Sequence, residues 1–224
     1  MTKKILKVLV IGDTHDSPDI PDKSRFGWFA KHIRKSKPDI VVQIGDFVTL
    51  DSCTHYIRDD SYTAKIEKPI FMKDMESMDS AMEEFNYHLK DFKIKKYLTL
   101  GNHEKRMFRK EDSNPTFYGM CQKEFFGNCK KYDWQVIPYG KYLMLGGVGF
   151  IHAPINPMGK EYGGEASERQ VANKSKIDIV FGHSHRAQDN RVAKISPIPN
   201  DFTRIINVGC AMPHNHIESY AKHS

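Results

Sequence analysis

A chain of 224 residues, 39% hydrophobic and 28% charged, has the composition of an ordinary soluble globular protein and enough apolar material for a sizeable core. Its net charge of +6 and pI near 9.0 favour an anionic partner, nucleic acid or a phosphorylated substrate, although scattered lysines fit a merely solvated surface as well. The four cysteines form no C-x-x-C pair, Met1-Thr2-Lys3-Lys4 leads into a run too short and charged for a secretory signal, and no stretch approaches a membrane span. These features argue against a disulfide scaffold and a membrane protein; reduced thiols in the cytoplasm are expected.

Val8 to Ile11 is a β-branched and aliphatic run, which reads as a strand buried on both faces. Gly12 ends it, and Asp13 and His15 follow at its C-terminal end, where ligands collect in open α/β sheets. A carboxylate with an imidazole suits Mn, Fe, Zn or Co. Taken alone, Asp13-Thr14-His15 is most simply a surface turn, and the later strand ends must decide. A Pro- and Asp-rich loop, Asp16 to Asp22, precedes a helix over Ser24 to Lys35. Ser24 is its candidate N-cap; Phe26, Phe29 and Ile33 point inward, with Trp28 a further candidate, and Lys37-Pro38-Asp39 stops it. Ile40 to Ile44 is a second buried strand, ending in Gly45-Asp46. A parallel strand–helix–strand crossover brings two such acid-tipped ends side by side.

Phe47 to Glu67, with Cys53, His55 and Tyr56, reads as a loop with some helix over the sheet end. Phe71 to Lys90 reads as a long helix. Its Phe71, Met75, Met78, Met82, Phe85 and Leu89 recur at helical spacing, the methionines as core and His88 as a surface residue. Tyr97 to Leu100 is the third strand, ending in Gly101-Asn102-His103-Glu104. Packing does not explain three strands that each end in glycine plus a metal-binding residue type. The basic run Lys105, Arg106, Arg109 and Lys110 reads equally as phosphate ligands or as the solvated start of a helix. A helix over Thr116 to Phe125, closed by Gly127-Asn128, comes next.

In the second half, Gln135 to Tyr139 and Tyr142 to Leu145 flank Gly140-Lys141 and suggest a hairpin. Val148 to Ile151 runs into His152, then come a glycine-rich loop from Gly159 to Gly164 and a short helix over Ser167 to Ala172. Ile177 to Phe181 is another buried strand, ending in Gly182-His183-Ser184-His185. Arg191 to Ile195 and Phe202 to Val208 read as strands. The polar tail from Pro213 carries His214, His216 and His223, which are poor ligand candidates. Residues 1–212 are expected to form one domain and 213–224 a tail.

The strand ends supply Asp13, His15, Asp46, Asn102, His103, His152, His183 and His185. A mononuclear zinc site takes three or four ligands. This larger set suits two ions about 3.5–4 Å apart that share a bridging carboxylate and clamp a phosphoryl group. The order of motifs, D-x-H, G-D, G-N-H-[DE], a lone H and G-H-x-H, resembles the calcineurin-like metallophosphoesterase superfamily over nearly the whole chain. The resemblance implies an α/β fold, a four-layer sandwich of two mixed β-sheets packed face to face and flanked by helices. It implies that Asp13, His15 and His185 bind one metal, that Asn102, His152 and His183 bind another, and that Asp46 bridges them. Hydroxide held between the cations would attack phosphorus, and His103, not a ligand, would aid departure of the leaving oxygen. Mn2+ is the expected ion, with Fe, Zn, Ni or Co as alternatives. Glu104 either orients His103 or is a surface carboxylate. Asn102, Lys105 and Arg106 are candidate phosphate contacts.

Departures from the superfamily narrow the reading. The protein Ser/Thr phosphatase branch has an arginine in its G-D-x-V-D-R-G motif and lacks the G-H-x-H ending; here the segment is Gly45-Asp46-Phe47-Val48-Thr49-Leu50-Asp51. The chain is too short for the capping domain of Mre11-type nucleases. A compact phosphodiesterase or phosphatase of the small stand-alone kind found in bacteria and phage is expected, acting on a phosphate ester, nucleotide or nucleic acid favoured, in the cytoplasm or, if phage-encoded, the host cytoplasm. Competing readings are a protein Ser/Thr phosphatase and a non-catalytic scaffold on the same fold, which would have lost ligands or His103.

Overall fold

The structure is a computed structural model, and it describes residues 5–54, 70–164, 166–214 and 216. His55, Tyr56 and His223 lie outside them. The first half alternates strand and helix: β1 (Val8–Ile11), α1 (Ser24–Ser36), β2 (Ile40–Gln43), α2 (Phe71–Leu89), β3 (Lys95–Thr99), α3 (Glu104–Ser113), α4 (Met120–Lys131) and β4 (Trp134–Ile137). The second half holds β5 (Leu143–Leu145), β6 (Val148–Phe150), α5 (Ser167–Lys174), β7 (Ile179–Phe181), β8 (Ala187–Ala193) and β9 (Phe202–Val208).

Two sheets result. The first, β1-β2-β3-β4, is parallel throughout, as crossover helices demand. The second, β5-β6-β7-β9-β8, is mixed: β6, β7 and β9 are parallel, while β5 and β8 run antiparallel along its edges. Alternation along β2 explains why Ile40, Val41 and Val42 are apolar without a break. Ile40 and Val42 face Phe150 and Val180 of the second sheet, whereas Val41 faces the helices with Phe26, Met78 and Phe85. On the far side of the second sheet, Val171 and Ala172 of α5 cover Ile179, Phe181 and Ile205. The layers are therefore helices, sheet, sheet, helix, and among the described residues no helix is long and apolar enough to cross a membrane.

Several local expectations are corrected. Gln135–Tyr139 and Tyr142–Leu145 do not form a hairpin. Trp134–Ile137 pairs in parallel with β3, and the chain then crosses to the second sheet, where Leu143 pairs with Phe150. The tight turn is Gly146-Gly147, both at positive φ (57° and 88°), which two-residue hairpins prefer. Helix α4 starts at Met120, after Gly119 in the left-handed region, and runs through Gly127, because Cys121, Phe125 and Cys129 carry its buried stripe across that exposed glycine. Lys23, not Ser24, occupies the N-cap of α1; Asp22 Oδ1 accepts the Ser24 N–H, and Trp28 is 62% exposed.

Candidate metal centre

Five strands, β1, β2, β3, β6 and β7, deliver their C-terminal ends to one point between the sheets. The loops at these strand ends are fastened to one another by hydrogen bonds from backbone N–H groups. The N–H groups of Thr14 and His15 donate to the Asp46 carbonyl (3.1 and 2.9 Å), and that of Ala211 donates to the Asp13 carbonyl (2.7 Å). The His103 N–H donates to Asp46 Oδ1 (2.9 Å), and the His183 N–H to Asp13 Oδ2 (2.8 Å).

The glycines that precede Asn102 and His183 have a steric cause. A Cβ on Gly101 would stand 2.1 Å from Asp46 Oδ1, and one on Gly182 would stand 2.1 Å from Asp13 Oδ1. The neighbouring strand's carboxylate occupies the space that a side chain would need.

Polar atoms converge around Asp46 Oδ2. It lies 3.2 Å from His152 Nε2 and 3.7 Å from His15 Nε2. On one side, His15 Nε2 and His185 Nε2 are 2.9 Å apart, and His185 Nε2 is 3.4 Å from Asp13 Oδ2. On the other, Asn102 Oδ1 is 2.9 Å from both His152 Nε2 and His183 Nδ1. Asp13, His15 and His185 form one group able to hold a cation, His15, Asp46 and His103 form a second, and Asp46, His152 and His183 form a third. Separations of this size are what neighbouring ligands of a cation show at bond lengths of about 2.0–2.2 Å, so the residues fit a divalent ion. Neither His214 nor His216 belongs to these groups.

The charges respond to one another. Burial opposes ionisation of Asp46, yet His152 and His103 hold its carboxyl well below the ordinary range. Burial likewise opposes the charged form of His152, but Asp46 and Asp13 push its pKa up to about 10. Burial and the charge of His152 lower that of His183. His152 Nδ1 donates to the Ile44 carbonyl (3.1 Å), which aims Nε2 at the cluster, as metal-binding imidazoles require.

His103 lies at the cluster's edge, its Nε2 4.0 Å from Asp46 Oδ2. Its Nδ1 is 2.8 Å from the Thr49 carbonyl and its Nε2 3.0 Å from an Arg106 nitrogen. A carbonyl only accepts and a guanidinium only donates, so this arrangement places the imidazole proton on Nδ1.

Glu104 does not orient His103, nor is it a surface carboxylate. It is fully buried and accepts the backbone N–H groups of Asp46 (3.0 Å), Phe47 (2.8 Å), Val48 (3.2 Å) and Gly101 (2.7 Å). It therefore shapes the loop that carries Asp46. Burial and then the charge of Asp46 raise its pKa to about 7.

The basic run divides. Arg106 is buried and grips the Thr49 carbonyl (2.8 Å) as well as His103; Lys105 Nζ lies 4.3 Å above the Tyr139 ring; Arg109 is exposed. Sequence reasoning missed the carbonyl of Thr49. Its only signal was that it follows Asp46 by three residues.

A family model described as calcineurin-like phosphoesterase matches residues 6–187. The chain belongs to the calcineurin-like phosphoesterases. That family hydrolyses phosphoesters with the help of metal ions, and the clustered Asp and His groups are where this member would hold them. The two-sheet architecture agrees with the family. No curated protein matches the sequence. A solved structure, TT1561 of Thermus thermophilus, is similar with a TM-score of 0.36 and 7% identity, over 92% of this chain and 90% of that one.

Proposed function

We propose that this calcineurin-like phosphoesterase is a dinuclear enzyme that hydrolyses phosphodiester or phosphomonoester bonds, with a nucleotide or nucleic acid favoured. The convergence of seven polar side chains on Asp46 Oδ2 and its surroundings carries the reading. Asp13, His15 and His185 fit one cation, Asn102, His152 and His183 a second, and Asp46 lies between them. Mn2+ suits this mixed donor set, as do Fe, Zn, Ni and Co. Divalent cations supply Lewis acidity to a phosphoryl oxygen and acidity to a coordinated water.

The chain's own groups do the rest. Asp46 offsets the repulsion between two cations, and the neutral amide of Asn102 leaves its side of the centre more electrophilic. Arg106, a fork-shaped donor beside His103, suits a phosphate oxygen. A phosphate that draws Arg106 away frees His103 Nε2, which, once protonated, donates to the leaving oxygen. Lys105 and Arg109 add positive charge along the same helix. A scaffold would be expected to lack some of these residues or His103; that all of them occur in this chain supports the enzyme reading.

The test is Mn2+-stimulated hydrolysis of bis-p-nitrophenyl phosphate against p-nitrophenyl phosphate, followed by single-stranded and duplex DNA. Turnover that chelation abolishes is expected. No turnover of any substrate with Mn, Ni, Co or Fe overturns the reading.

A further inference from the structure

The loop between β7 and β8 has an anchor that the proposed chemistry does not use. His183 and His185 both sit at positive φ (71° and 57°), a left-handed conformation that non-glycine residues rarely adopt. Between them, Ser184 turns away from the centre, and its hydroxyl donates to Glu168 Oε1 (3.0 Å). Asn207 Nδ2 donates to the same carboxylate oxygen (2.9 Å) and to Ser184 Oγ (2.6 Å), closing a triangle. Asn207 Oδ1 accepts the Gly209 N–H (3.0 Å), which ties the triangle to the end of β9.

Glu168 and Asn207 are each 1% exposed. Among the described residues Glu168 Oε2 has no hydrogen-bond donor, and Arg186, 3.8 Å away, is an ion-pair partner. An acid buried this deeply is costly for packing alone, where an apolar residue would serve. Burial opposes its charge, but bonds from its own backbone, Asn207 and Ser184 hold the carboxyl below its ordinary value.

We propose that Glu168 is a positioning residue for the metal centre: through Ser184 and Asn207 it holds the strained His183-Ser184-His185 turn in the geometry that captures cations. The proposal rests on the reading of His183 and His185 as ligands. Glu168 itself touches neither cation nor substrate. Its oxygen restrains the one residue that both histidines share as a neighbour, so slack at Ser184 misplaces two ligands at once.

The experiment is calorimetric titration of Mn2+ into the metal-free chain, with thermal melting of the same samples. Ser184→Ala removes the bond with little change of bulk, and Glu168→Ala removes the anchor. Each is expected to weaken Mn2+ binding, Glu168→Ala by about 10–100-fold, the usual effect of losing a partner that orients a ligand. Glu168→Gln keeps an oxygen that accepts both bonds and is expected to retain wild-type affinity. The metal-free melting temperature of Ser184→Ala should match wild type, which separates positioning from folding. Should Glu168→Ala fail to fold, Ser184→Ala decides. Wild-type affinity in Ser184→Ala, or Glu168→Gln as weak as Glu168→Ala, overturns the proposal. A wild-type chain that binds no Mn2+ overturns the metal-centre reading and this inference with it.

Discussion

Gly101→Ala is the most direct test of how the centre is built. Gly101 has no left-handed backbone, so the substitution adds one methyl group and demands no conformational change of its own. That methyl would stand 2.1 Å from Asp46 Oδ1 and 2.5 Å from the Asp46 nitrogen. Real Cβ contacts do not fall below 3.0 Å, so the carboxylate must retreat by 3.0 − 2.1 = 0.9 Å or more. Metal sites tolerate only about ±0.2 Å in ligand distance. The retreat also breaks the bond from the His103 N–H, about 1.5–3 kcal/mol for a charged acceptor. Overpacking adds about 1–3 kcal/mol. Together these make roughly 2.5–6 kcal/mol, a large part of the 5–15 kcal/mol that usually separates folded from unfolded. For a chain of this size the melting temperature should drop by roughly 5–24 °C. Metal content by mass spectrometry should fall below that of wild type, and turnover with it. Wild-type metal content and an unchanged melting temperature would refute the close-approach account of the glycines.

Other outcomes follow from the same contacts. Glu104→Ala strips the acceptor from four buried N–H groups and should cost at least about 4 kcal/mol, visible in the melting temperature, whereas a surface carboxylate would stay within about 0.5 kcal/mol. Asp46→Asn should abolish turnover and reduce bound metal, and activity retained by this variant contradicts the bridging role. His103→Asn should keep its metal and slow turnover roughly 10²–10⁴-fold, the size of general-acid effects; if it loses metal instead, His103 is a ligand. His152 must give up a proton to bind a cation, and its pKa of about 10 means that it holds that proton at pH 8. Metal binding at pH 8 should therefore release about one proton per chain, measured calorimetrically in buffers of different ionisation enthalpy, and affinity should rise with pH up to about 10.

The reach of the sequence can be judged from particular residues. The gathering of Asp13, Asp46, Asn102, His152, His183 and His185 was legible because each follows an apolar run that reads as a buried strand, and parallel topology gathers such ends. The stripe of α2, from Phe71 to Leu89, was legible because periodicity is local. The backbone role of Glu104 and the bond from Arg106 to the Thr49 carbonyl were not. Both side chains follow Asn102 by a few residues, and nothing nearby distinguishes a carboxylate that satisfies four backbone donors from a solvated one; those donors come mainly from the loop after β2. The supposed hairpin failed for the same reason. Gly140-Lys141 has good turn chemistry, but β4 finds a partner in β3, and an edge of the first sheet outweighs a local turn. Gly146-Gly147 carried the correct signal directly after the Tyr142–Leu145 run.

The two carboxylates that lie deepest in the centre each serve a backbone donor and the imidazoles at once. Asp46 gives Oδ1 to the His103 N–H and turns Oδ2 toward three imidazoles. Asp13 gives Oδ2 to the His183 N–H while the same atom faces His185. One carboxylate thus closes the loop after β3 onto the loop after β2, and the other closes the loop after β7 onto the loop after β1. A cation would complete electrostatically a ring that backbone hydrogen bonds already close. This is why Asp46→Asn is more informative than Asp46→Ala: the amide can keep its oxygen on the His103 N–H while it removes the charge facing the imidazoles. If the ring were held by charge alone, Asp46→Asn would collapse it and melt as low as Asp46→Ala. If it is held by the backbone, the asparagine variant should melt above the alanine variant and differ from wild type chiefly in metal content and turnover.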